Sequence, residues 1–197
     1  IPILFFGDLS AYERSPLKII TVALNPSKKE FPDGNPWGRF PAAASYSTDL
    51  TDSERTSILI RAWSQYFDNV ATENAGPYTS WFGHFDNVLA GFNASYYKGL
   101  NNVALHTDLL SPVATDPTWS KLTKEQQQWL QEDGGPIWHQ LVEHLKPDIV
   151  LVSVASNYCD DIKFKVTKPW SAIAKIDGKE QYPIKRTKLQ LPSGHTF

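Results

Sequence analysis

The run Asp148–Val154 (DIVLVSV) is apolar at nearly every position, the pattern of a strand covered on both faces. Such strands belong to parallel sheets, and each parallel neighbour requires a crossover that returns the chain to the same end. Three further β-rich runs are present: Lys18–Leu24 (KIITVAL), Asn102–Thr107 (NVALHT) and Thr187–Leu191 (TKLQL). Between them lie helical patterns. Ser53–Phe67 and Trp81–Phe92 place apolar residues at near-helical spacing. Thr123 with Gln126 forms a capping-box signature for a helix through Leu130, and Ile137–Leu145 reads as another, with Gly134-Gly135-Pro136 breaking the two apart. Strands alternating with helices predict an α/β domain with helices on both faces of a parallel sheet. Ile173–Ile184 departs from this, because Asp177-Gly178 predicts a hairpin turn.

Composition narrows the function classes. The 197 residues fit a single domain spanning 1–197, and 41% hydrophobic residues can fill a sizeable core. A net charge of −2 gives no chain-wide basic field, so any nucleic-acid surface must be local. From Asp161 to Phe197 there are eight Lys/Arg against three Asp/Glu, a skew that suits either DNA phosphates or a solvated hairpin. The lone Cys159 forms no internal disulfide and points to a reducing, cytoplasmic compartment. No apolar run reaches the roughly 18 residues of a membrane helix. Ile1–Phe6 lacks the basic flank and cleavage site of a signal peptide. The chain has no methionine and stops at Phe197 without a polar tail, so truncation at the C-terminus is expected. No His-x-x-x-His or comparable ligand cluster appears and no glycine-rich phosphate loop occurs, so neither metal nor cofactor is expected.

In parallel α/β sheets, ligands bind beyond the carboxyl ends of the strands. Here those ends carry Asn25-Pro26-Ser27, then Asp108 with Ser111-Pro112, then Ala155-Ser156-Asn157, then Pro192-Ser193-Gly194-His195. All are polar, turn-forming clusters, and all are also ordinary turn chemistry.

Val22-Ala23-Leu24-Asn25-Pro26-Ser27 resembles the first motif of the uracil-DNA glycosylase superfamily, where a strand runs into Gly-x-Asn-Pro-Gly or a close variant. Ala23 and Ser27 replace the two glycines. Val103–Pro117 and Lys146–Tyr158 resemble the family's second and third strands with their loops. Ser193-Gly194-His195 sits near the place of a second motif, often His-Pro-Ser, but in a different residue order. The resemblance implies a three-layer α/β/α sandwich with a central four-stranded parallel sheet in the order 2-1-3-4. It also implies that Asn25 orients the attacking water and that His195 donates to the departing base. Pro26, Ser27, Asp108 and Ser111 then line the pocket, with Trp37 or Phe40, from the segment FPDGNPWGRF, stacking the base. The family often reads uracil with an asparagine where this chain has Asp108, and an ionised Asp108 could only accept hydrogen bonds. Each role has a plainer counterpart: Asn25 bonded to its own turn, His195 in a surface turn, and the aromatics packed on the core.

The implied function is a DNA-base glycosylase that hydrolyses the N-glycosidic bond of a flipped, uracil-like base. Two other classes stay open: a catalytically silent module of the same fold that binds a base or single strand, and a small-molecule hydrolase. The absence of a Gly-x-Ser-x-Gly elbow weighs against the last. The expected partner is DNA, with no membrane.

Overall fold

The computed structural model describes residues 1–68, 76–175, 177–179 and 183–197. Its helices are α1 (Leu9–Arg14), α2 (Asp52–Ser64), α3 (Thr79–Ala90) and α4 (Lys124–Leu145). Its strands are β1 (Ile19–Ala23), β2 (Ala94–Ser95), β3 (Asn102–Val103), β4 (Leu105–Asp108), β5 (Ile149–Val152), β6 (Lys165–Ala174) and β7 (Ile184–Gln190). The protein is mixed α/β, built on a three-stranded parallel sheet in the order β4-β1-β5.

β1 is the central strand, and all five of its residues are buried. Its register sets Ile20 beside Leu105 and Ala23 beside Asp108 on one side, and Ile19 beside Ile149 and Val22 beside Val152 on the other. The outer side of β4 is met by the N-terminal segment, where Phe6 and His106 exchange backbone hydrogen bonds of 2.9 and 3.0 Å. Phe6 also leads into an aromatic cluster with Phe40, Tyr66 and Phe82, at centroid separations of 4.8–6.1 Å. Burial of these rings, rather than a long sheet, supplies much of the core on this side.

Two expectations are corrected. The fourth run, Thr187–Leu191, does not join the central sheet. Its residues lie in and just after β7, which pairs antiparallel with β6 in a separate two-stranded sheet. The physical reason is local. Gly178 adopts φ +72° in the turn expected at Asp177-Gly178, and a short hairpin loop costs far less closure entropy than a crossover. Residues 176 and 180–182 of the expected Ile173–Ile184 hairpin lie outside the described residues. With no strand beyond it among the described residues, β5 is half-buried at all four positions rather than fully covered.

The second correction concerns α4, which runs unbroken through Gly134-Gly135-Pro136. Thr123 and Gln126 close the expected capping box at its start. Gly134 is required by contact rather than by helix breaking. A Cβ there would collide with the Leu110 carbonyl and lie 2.6 Å from Ser111 Cα. The helix therefore lies directly on the loop leaving β4, and that contact helps to fix the strand-end site. α2 and α3 start and stop within a few residues of expectation, with α2 followed by a 3-10 turn at Tyr66–Asp68, while α1 was not expected.

Candidate functional site at the strand ends

The loops leaving β1 and β4 are joined side by side. Leu109 N donates to Ala23 O and Leu110 N to Leu24 O, both at 2.9 Å, and Ser111 N reaches Leu24 O at 3.3 Å. Further out, Thr115 N donates to Pro26 O and Lys28 N to Thr115 O, each at 3.3 Å. Because Ala23 pairs with Asp108, Asn25 stands only two residues beyond the Asp108 rung, at most about 7 Å of chain.

Asn25 is half-buried and its amide nitrogen is committed to this double loop. Nδ2 donates to Thr115 Oγ1 and Pro26 O, each at 2.9 Å, with Val113 O at 3.3 Å. Its Oδ1 has no intramolecular partner among the described residues and stays available as an acceptor. Pro26 is buried. The Ser27 hydroxyl caps a 3-10 turn by accepting from Lys29 N at 3.2 Å. Ser111 Oγ accepts from Val113 N at 3.1 Å. These three residues build the loops.

Asp108 is the electrostatic centre of the region. Its side chain is buried, and neither carboxyl oxygen has a hydrogen-bond partner among the described residues. Burial without a donor pushes its pKa well above the usual carboxylate range, and the nearby Glu30 carboxyl adds to the shift. His106 Nε2 lies 3.8 Å from Asp108 Oδ1, too far for a hydrogen bond. The same burial lowers the His106 pKa to about 3, so this imidazole is neutral and the two residues do not form an ion pair. His106 Nδ1 is held by Thr21 Oγ1 at 2.7 Å, which in turn shares a 2.6 Å bond with Tyr96 OH.

Four residues around this centre were missed in the sequence: Glu30, Arg39, Tyr66 and Tyr78. Glu30 is 3% exposed and accepts from Tyr66 OH at 2.6 Å and from an Arg39 amino group at 3.5 Å. Burial raises its pKa, while Tyr66 and Arg39 act in the opposite direction. Tyr66 OH accepts from Tyr78 N at 3.0 Å, and Arg39 lies over the Tyr78 ring at 5.5 Å. Two buried carboxyl groups thus differ in support, because Glu30 has donors and Asp108 has none. The one available signal was a carboxylate five residues past Asn25 in an aromatic-rich stretch, which local periodicity does not mark.

The remaining candidates are placed as follows. Phe40 is fully buried, between Phe31, stacked at 5.5 Å, and Tyr66 at 5.3 Å. It is a core ring, and the half-buried Phe31 lies on the outer side of that stack. Trp37 is half-buried, edge-on to Phe31 at 6.3 Å. His195 is not brought to the site. Its Nε2 donates to Pro147 O at 2.7 Å, before the start of β5, at the opposite end of the sheet. The four residues of β5 alone span about 13 Å. Two surface hollows stand out, of roughly 310 Å³ against α2 and roughly 430 Å³ at the base of the β6–β7 hairpin, and neither is lined by Asn25 or Asp108.

Comparison with protein-family models, curated proteins and solved structures finds no match to this chain. Among the described residues no His/Cys/Asp/Glu group has the arrangement of a metal site, and no helix is long and apolar enough to cross a membrane.

Proposed function

We propose that the protein is a DNA-base glycosylase that hydrolyses the N-glycosidic bond of a uracil-like base flipped into the β1–β4 strand ends. The observation that carries this reading is the Asp108 carboxyl, buried, unpartnered and beside the Asn25 loop. An ionised carboxylate only accepts, but a carboxyl kept in its acid form offers one donor and one acceptor. That pair matches a base edge carrying an acceptor next to N–H, as O4 and N3–H of uracil do. A buried acid form would give Asp108 the donor that the family's asparagine supplies at this place.

Asn25 contributes Oδ1, which accepts a water O–H and aims the water oxygen at C1′. The water oxygen bonds to C1′ as the C1′–N bond breaks, its electron pair leaves on the base, and the water's proton passes to solvent. The Asp108 O–H stabilises the negative charge that develops on the base. His195 has no part in this mechanism. Entry of the base requires the loop carrying Phe31 and Trp37 to open, which places Phe31, rather than Phe40, against the base. The order β4-β1-β5 supports the 2-1-3 portion of the superfamily's four-stranded α/β/α plan, and Thr187–Leu191 stays outside it. A DNA substrate and the lone cysteine both suit the cytoplasmic compartment.

A second reading, a silent module that binds a flipped base, is favoured by one observation: the Asn25 amide nitrogen is fully used inside its own loops. Single-turnover cleavage and salt-matched binding on oligonucleotides carrying a panel of damaged bases separate the two. As a glycosylase, the protein releases at least one base, and Asn25→Ala slows release by about 10²–10³-fold with binding unchanged. Asp108→Asn retains release, because the amide also donates and accepts, whereas Asp108→Ala loses it. Equal losses of rate and affinity in Asn25→Ala would remove that residue from catalysis. Binding at the strand ends without release of any base would favour the silent module.

A further inference from the structure

The β6–β7 hairpin is an uncovered ribbon, with all ten residues of β6 exposed. Its register is unusual. Lys165, Lys168, Ser171 and Ala174 stand opposite Gln190, Lys188, Arg186 and Ile184, so β6 advances three residues for every two of β7. Each step contains an irregularity, and side-chain hydroxyls satisfy freed carbonyls there. Thr167 Oγ1 donates to Lys188 O at 3.0 Å, and Thr187 Oγ1 donates to Lys168 O at 2.6 Å. Directly opposed residues share a face, so the bulges gather Lys165, Lys168, Arg186 and Lys188 on one side. Leu189, in the intervening position of β7, is buried against the core, so the cationic side faces away from the body.

Lys168 and Lys188 are direct cross-strand neighbours. Like charges placed so are destabilising on their own, and no carboxylate pairs with any of the four cations among the described residues. In a chain of net charge −2, this is a local, uncompensated positive surface. Its geometry also selects an occupant. Alternate residues of β7 are about 6.8 Å apart, twice the roughly 3.4 Å axial rise per phosphate of one strand of a duplex. A two-stranded ribbon fits the major groove of B-DNA. The Lys165/Gln190, Lys168/Lys188 and Ser171/Arg186 rungs are polar throughout, the one apolar rung of this face, Ala174/Ile184, lies toward the turn, and Val166 lies on the other face opposite Leu189. That suits a polyanion in water better than a lipid surface.

We propose that the β6–β7 ribbon is a DNA-binding arm, whose face of Lys165, Lys168, Arg186 and Lys188 contacts the phosphates of a duplex. The inference deepens the DNA-acting reading and rests on it for the identity of the polyanion. Four such contacts give log K a slope of about −3.6 against log salt, roughly a hundredfold loss of affinity between 50 and 200 mM.

The test is binding of the full chain to a short undamaged DNA duplex across a salt series, with a single-stranded RNA and anionic phospholipid vesicles as further probes. Lys168→Gln with Lys188→Gln should reduce the slope by about 2 and weaken binding about tenfold or more at low salt. Lys121→Gln with Lys124→Gln, in the turn before α4 and at its first residue, should leave both unchanged. Circular dichroism of the variants checks that the fold persists. An unchanged slope in the Lys168/Lys188 variant, no duplex binding by the unmodified protein, or tighter binding to RNA or vesicles than to duplex would overturn the proposal. Duplex binding through the ribbon without release of any base would leave the arm standing and end the glycosylase reading. Base release with ribbon variants binding like the unmodified protein would do the reverse.

Discussion

The strand ends and the β6–β7 ribbon hold similar numbers of ionisable groups in opposite surroundings. At the strand ends, Asp108, Glu30 and His106 are buried, and solvation is replaced by a few fixed partners or by none. On the ribbon, Lys165, Lys168, Arg186 and Lys188 stay in water and need no partner to persist. The first arrangement sets protonation states, and the second sets a field. Chemistry on a base calls for the former, and holding a polyanion calls for the latter.

The contrast predicts how each region tolerates change. Gly134→Ala adds one carbon where α4 meets Leu110 and Ser111, and should destabilise the protein by about 1–3 kcal/mol in denaturant unfolding. The Asp108 loop should shift with it, so any base-release activity should fall as well. A Gly134→Ala protein of unchanged stability would show that the strand-end region is more plastic than its packing implies. Lys168→Gln should change stability by no more than about 0.5 kcal/mol, with gain favoured because it relieves the opposition to Lys188. A large loss there would mean that the ribbon is structural.

The sequence carries the central architecture better than its edges. Lys18–Leu24 and Asp148–Val154 are legible because continuous apolar character has few other uses, and they pair in parallel as expected. The Asn25 and Asp108 loops are legible because strand ends and turn chemistry coincide there. Thr187–Leu191 was misplaced because alternation marks a strand without naming its partner, and the nearby Gly178 turn supplied one. The break expected at Gly134 failed because a glycine can mark close approach as well as helix termination. His195 and Glu30 show the remaining limit. A turn motif does not say at which end of a sheet it lies, and the burial of a carboxylate depends on aromatics far away in the chain, here Tyr66.

The central claim is that Asp108 is held in its acid form by burial, and this has a definite pH signature. The Asp108 pKa in the fold is raised above its ordinary 3.8, so its contribution to stability is full below that pH and is lost as pH rises toward the folded value. His106, lowered from 6.5 to about 3, acts in the opposite sense: its contribution is full above pH 6.5 and is lost as pH falls toward 3. Between pH 3.8 and 6.5 the two slopes oppose one another. The direct measurement is the unfolding free energy of the unmodified protein and of Asp108→Asn, compared from pH 3.8 upward; both proteins carry His106, so the difference isolates Asp108. The account predicts that the unmodified protein loses stability relative to Asp108→Asn as pH rises above 3.8, with a slope of up to about 1.4 kcal/mol per pH unit until Asp108 ionises. A difference that stays constant with pH, or one that favours the aspartate as pH rises, would contradict it.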